Sequence, residues 1–239
     1  MIMDKRKEYF YQDLIIEEDE RESAERYLNS KGVEKHIIIK DKLSNWIGGG
    51  EVEYSMISSM YRYDKRLRLI LFKYISYLEE HYRAVILDEY RSTPRRIKWV
   101  KDLAEKLNAC NWDLNDALER IDFTTLLVQS NKLPQRVRQK CGFPGGKHFV
   151  ENSIAIKELR NAVMHNKFLL LYRGFETCYV DGVDGGKGTS LKANILNLLA
   201  FLPNEVAENC KNEINNAKHE KENHKGTKWN LPSLVTIQI

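Results

Sequence analysis

The chain has 239 residues, 42% hydrophobic and 30% charged, with only five prolines, enough to bury a real core in one large domain or two small ones. Its longest apolar runs, FLLLY at 168–172 and LLAFL at 198–202, fall far short of the ~20 residues that span a bilayer. The net charge of +4 hides a segment of −4 over residues 1–30, one of +6 over 61–101 and one of +7 over 131–173, and clustered Lys and Arg suit a partner that carries phosphate.

The N-terminal MIMDKRKEYF has no apolar core behind its charges, so a cleaved signal peptide is not expected. Residues 14–28, LIIEEDERESAERYL, read as a turn into an amphipathic helix with Ala24, Tyr27 and Leu28 on one side. Residues 35–40, KHIIIK, read as a short strand, and Gly48-Gly49-Gly50 as a break. The strongest helix runs from 61 to 90, where Leu67, Leu71, Tyr74, Leu78, Tyr82 and Val85 recur at three- and four-residue spacing. Asp64 is read as standing near its start, where a carboxylate suits the dipole, and Glu79 with Arg83 as an i,i+4 pair.

Shorter helices are expected over 97–107 and 114–128, the second opening at Asp113 as N-cap. After breaks at Pro134 and Pro144-Gly145-Gly146, a helix is expected over 151–171 and a strand at 177–180. The run 181–190, DGVDGGKGTS, reads as a flexible turn. A helix over 191–201 follows, capped by Thr189 or Ser190 and stopped before Pro203. Residues 204–228 turn polar, a solvated helix by composition, and the terminal WNLPSLVTIQI is apolar enough to dock back. The expected fold is all-α, a helical bundle with short extended segments, organised as a domain over 1–205 and a charged C-terminal extension over 206–239.

Several motifs fail on spacing. Gly182, Gly186, Lys187 and Thr189 miss the phosphate-loop pattern by one residue, and Gly188 sits where its hydroxyl belongs. The cysteines at 110, 141, 178 and 210 lie more than thirty residues apart. They form no CxxC pair, which suits a reducing cytoplasm. No HExxH or GxSxG occurs, so neither a metal nor another cofactor is expected.

What remains is IKELRNAVMHNKFLLLYR at 156–173. Arg160 supplies a permanent planar cation for a phosphate, and His165 a group that exchanges protons near neutral pH. Asn161 is an i,i+4 neighbour of His165, while Arg160 and His165 stand about 140° apart on an ideal helix. RNA cleavage without a metal needs these abilities: a 2′-hydroxyl relieved of its proton, a phosphorane charge neutralised and a 5′-oxygen protonated. On spacing alone, a pair of surface residues or a structural hydrogen-bonding pair is the favoured reading.

Residues 160–165, RNAVMH, resemble the R-x4-6-H motif of the HEPN (higher eukaryotes and prokaryotes nucleotide-binding) superfamily, including the polar residue after the arginine. Upstream, MYRYDKRLRLILFKYISYLEEHYRAVI resembles the long helix of bacterial Abi-like abortive-infection proteins at Tyr61, Asp64, Leu67, Arg68, Leu69-Ile70-Leu71, Glu79 and Arg83. Residues 14–28 are similar to that family's N-terminal segment and residues 191–203 to its closing helix, so the resemblance runs loosely over residues 10 to 205.

It implies a HEPN-like helical bundle acting as a homodimer in the cytoplasm, a metal-independent endoribonuclease of phage defence or a toxin, with an inhibitory RNA or protein partner. Arg160, His165 and Asn161 would be catalytic. Lys157, Lys167, Arg136, Arg138 and Lys140 would guide the RNA backbone, and the products would be a 2′,3′-cyclic phosphate and a 5′-hydroxyl. The alternative is a non-catalytic HEPN module that binds RNA or nucleotide, or that dimerises and regulates.

Overall fold

The computed structural model describes residues 2–92, 98–99, 101–102, 113–142, 149–172, 191–219 and 228–239. The chain is mainly helical and divides into two compact units, residues 1–67 with 215–238, and residues 68–214 with Ile239.

In the first unit, α1 (Ile2–Tyr11) packs against α3 (Val33–Trp46), with α2 (Arg21–Lys31) beside α3. A helix ends with carbonyls that have no partner. Lys40 on α3 supplies donors to those of α1, its Nζ donating to Tyr9 O at 2.9 Å and Gln12 O at 2.8 Å. A minimal parallel sheet pairs β1 (Leu14–Ile15) with β2 (Val52–Glu53). The acidic run at 17–20 becomes a 3-10 turn leading into α2.

α4 (Tyr54–Tyr90) starts seven residues earlier than its periodicity announces, and in this unit it buries Tyr54, Ile57, Met60, Tyr63 and Leu67. Asp64 therefore lies well inside the helix and is fully buried, not near its start. The C-terminal segment docks as its apolarity suggests. Trp229 lies under the Arg62 and Arg66 guanidiniums at 5.0 and 4.6 Å, Asn230 N–H donates to Ser59 Oγ at 2.8 Å, and Ile237 N–H donates to Tyr63 OH at 2.8 Å.

Two expectations fail here. KHIIIK is helical, part of α3, because Val33, His36, Ile37, Lys40 and Leu43 recur at helical spacing and are all buried. That packing overrides the β-branched run. Tyr27 is 37% exposed, and Ser23 joins Ala24 and Leu28 on the buried side of α2.

In the second unit the remainder of α4 buries Leu71, Tyr74, Ile75, Leu78, Tyr82 and Ile86. The helix expected over 114–128 is two helices, α5 (Leu114–Arg120) and α6 (Phe123–Ser130). Asp113 caps the first as expected, accepting from Asp116 N–H at 2.7 Å, and Asp122 starts the second, accepting from Thr125 N–H at 3.0 Å. Arg83 satisfies the carbonyl freed at the break, donating to Ile121 O at 2.9 Å while paired with Glu79 at 2.5 Å.

α7 (Gln135–Lys140), α8 (Phe149–Met164), α9 (Leu191–Phe201) and α10 (Asn204–Asn216) complete this unit, with α8 packed on α6 and α9. α8 stops at Met164, not at 171 as expected, and residues 169–171 form a separate 3-10 turn. α10 is amphipathic, burying Cys210 and Ile214. Glu213 on α10 accepts from Tyr74 OH at 2.9 Å and pairs with Lys73. The strand at 177–180, the turn at 181–190, the caps at Thr189 and Ser190, the break at 144–146 and most of the helix at 97–107 lie outside the described residues.

Candidate functional site at the end of α8

α8 buries Ala155, Ile156, Leu159, Ala162 and Val163, which at 100° per residue occupy one side of the helix. Each larger aliphatic side chain among them stabilises the fold by about 1.5–3 kcal/mol relative to exposure. The opposite side carries the polar residues in an arc of about 160°, with Arg160 at one edge, Lys157 and Asn161 in the middle and His165 toward the other. Exposure follows that arc: Lys157, Arg160 and Asn161 are half-buried, and His165 is exposed.

The helix closes in a way that fixes His165. Asn166 N–H donates to Val163 O at 3.2 Å and Lys167 N–H to Ala162 O at 2.9 Å, with Asn166 at φ 52°. This is a Schellman closure, with Asn in the left-handed position usually given to Gly. His165 N–H still donates to Asn161 O at 3.0 Å, so the i,i+4 relation of Asn161 and His165 survives. Phe168 and Leu169 are buried immediately afterwards and anchor the chain.

Two features mark the arc. Arg160 lies where the arc meets the buried side, and its Nε is buried without a hydrogen-bond partner among the described residues, an incompletely satisfied cation of the kind that a bound anion completes. Arg68, on α4, donates from Nη1 to Asn166 Oδ1 at 2.8 Å. A second guanidinium is thereby held beside the residue that follows His165. The sequence marks Arg68 only as a position of resemblance; no local spacing joins it to residue 166.

Neither a family model nor a curated protein nor a solved structure matches the chain. The site therefore rests on its own geometry.

Of the expected backbone-guiding cations, Lys157 and Lys167 stand beside the motif on α8 and just past its end. Those on α7 are engaged elsewhere: Arg136 and Lys140 both pair with Glu89, Lys140 at 2.9 Å, and Arg138 Nη1 donates to Asn131 Oδ1 at 3.4 Å. The hydrogen bond from Lys140, with both cations nearby, holds the Glu89 carboxyl below its ordinary range. The Arg136 and Lys140 side chains remain largely exposed.

Other chemistry has less support. Burial pushes the Cys141 and Cys210 thiols up to about 12, which disfavours a thiolate nucleophile at either. Among the described residues no cluster of three or more His, Cys, Asp or Glu is placed to hold a metal ion, and no helix is long and apolar enough to cross a membrane.

Proposed function

We propose that the chain is a metal-independent endoribonuclease of the HEPN type, acting in the bacterial cytoplasm in phage defence or as a toxin. The observation that carries this reading is the arc at the end of α8, where a half-buried arginine whose Nε has no partner among the described residues, a polar Asn161 and an exposed histidine share one helix surface, with Arg68 held against the following Asn166.

In the proposed reaction His165 takes the 2′-hydroxyl proton as the 2′-oxygen bonds to phosphorus. The P–O5′ bond breaks, and the leaving oxygen receives a proton from the equivalent histidine of a second subunit. Arg160 binds the non-bridging oxygens, whose charge grows in the phosphorane, and Asn161 orients His165 or the phosphate. One chain offers one such Arg and His, so the site is completed in a homodimer. Support for that association comes from Leu69 and Phe72, which are 61% and 47% exposed on the α4 face that adjoins Arg68. Lys157 and Lys167 steer the RNA backbone, and the resemblance further implies an RNA or protein inhibitor.

The test is incubation of the purified chain with labelled single-stranded and structured RNA in EDTA. Cleavage leaving 2′,3′-cyclic phosphate ends is expected, with a loss of about 10²- to 10⁴-fold in His165→Ala, the range associated with a general acid–base. Undiminished cleavage in that variant removes His165 from the chemistry. Binding without cleavage across all substrates favours the non-catalytic RNA- or nucleotide-binding module.

A further inference from the structure

A cavity of about 690 Å³ lies in the second unit, outside the α8 arc, where Tyr90 at the end of α4, Trp99, Gln129 on α6 and Arg136 on α7 line it together with Lys98, Asp102 and Lys132. Its volume is that of a small-molecule site.

Its lining has three properties that bear on a ligand. Two aromatic rings, Tyr90 and Trp99, offer flat apolar surface. Three cations face one carboxylate, Asp102; Arg136 is shared with Glu89, while Lys98 and Lys132 are exposed and carry no ion pair among the described residues. Two polar atoms of lining residues, Trp99 Nε1 and Gln129 Oε1, are buried without a hydrogen-bond partner among the described residues. The first can only donate and the second only accept. Buried polar atoms without partners are costly and uncommon, and a ligand that carries both an acceptor and a donor answers both.

We infer that this cavity binds a purine nucleotide, either free or as an unpaired residue of an RNA strand. The base lies against Trp99 and Tyr90 and its edge donates to Gln129 Oε1, Trp99 Nε1–H donates past the ring edge to a sugar or phosphate oxygen, and the phosphate is drawn by Lys98, Lys132 and Arg136. A purine is favoured over a pyrimidine because the larger ring covers more of two aromatic walls. Neither Arg160 nor His165 lines the cavity, so this inference stands or falls independently of ribonuclease activity.

The experiment is calorimetric titration of the full chain with ATP, GTP, CTP, UTP, pyrophosphate and short purine or pyrimidine RNA oligonucleotides in EDTA. Binding of a purine nucleotide, or of a purine oligonucleotide alone, is expected, the two arms separating the sources. Pyrophosphate should bind about tenfold or more weakly, since stacking on an aromatic residue typically carries at least that factor. Trp99→Ala and Lys132→Glu should each weaken binding by a similar factor. Trp99→Phe, which keeps a ring and loses the N–H, should show a smaller loss and guards against misfolding of the alanine variant. Absence of binding by every nucleotide and oligonucleotide would overturn the inference. So would pyrophosphate binding as tightly as nucleotide, or affinity unchanged in both Trp99→Ala and Lys132→Glu.

Discussion

Arg68 and Asn166 meet although 98 residues separate them in the chain, and their contact holds a second cation against the residue that follows His165. If Arg68 helps to bind the scissile phosphate, Arg68→Ala removes a charge-assisted hydrogen bond of about 1.5–3 kcal/mol. RNA cleavage should then slow by roughly 10- to 100-fold, with the melting temperature nearly unchanged. An equal rate in the variant, measured at saturating RNA and below it, would remove Arg68 from the site. Arg160, Asn161 and His165 were legible because they are neighbours on one helix; Arg68 was not, since only tertiary packing brings α4 to the end of α8.

Another single side chain couples folding to pH. His36 is buried, its Nδ1–H donates to Gly32 O at 2.9 Å, and its ring packs near Phe10 and Tyr61. Burial is the main cause that lowers its pKa from the ordinary 6.5. The unfolded chain therefore takes up a proton that the folded chain resists, so this contribution is fully present above about pH 6.5 and declines as pH falls below it. Glu20, raised by its own burial, gives a slope of opposite sign, which makes comparison with a variant the decisive readout. Between about pH 7.5 and 5.5, spanning the ordinary histidine pKa, the urea midpoint of the wild type should fall more than that of His36→Gln. Parallel curves would show that His36 does not couple folding to protons.

At the scale of the element, the end of α8 separates folding from function. Asn166 holds φ 52°, a conformation that costs most L-residues about 1–2 kcal/mol and Asn or Gly less. Asn166→Gly should therefore leave stability within about 0.5 kcal/mol, a typical surface effect, while releasing Arg68 and slowing cleavage. Asn166→Ala should lose about 1 kcal/mol in addition. Chemical denaturation beside a cleavage assay checks both, and equal stability of the Gly and Ala variants would deny the backbone argument. Helix ends were the least legible part of the sequence. The α8 stop depends on an asparagine in a role usually filled by glycine, and the α5–α6 break on Asp122 and a carbonyl reached by Arg83 from another helix. The body of α4 was legible because a long apolar stripe without Pro or Gly has one helical reading.

At the scale of the whole molecule, the all-α class was legible from periodicity, whereas the seating of the C-terminal segment was not. Its apolarity announced docking, but contacts such as Asn230 with Ser59, 171 residues apart, leave no periodic trace in the sequence. The assembly proposed for catalysis has a clearer signature on the surface. Leu69 and Phe72 are one helical turn apart and exposed beside Arg68, where a second copy would cover them and bring its own Arg160 and His165 to the same cleft. Replacing both by Glu places like charges at that contact, at two exposed positions. Light scattering should then report a dimer for the wild type and a monomer for the double variant, with a similar melting temperature and loss of RNA cleavage. A wild-type chain that is monomeric at micromolar concentration while cleaving RNA would dismiss the composite site and leave a single Arg160 and His165 to carry the reaction.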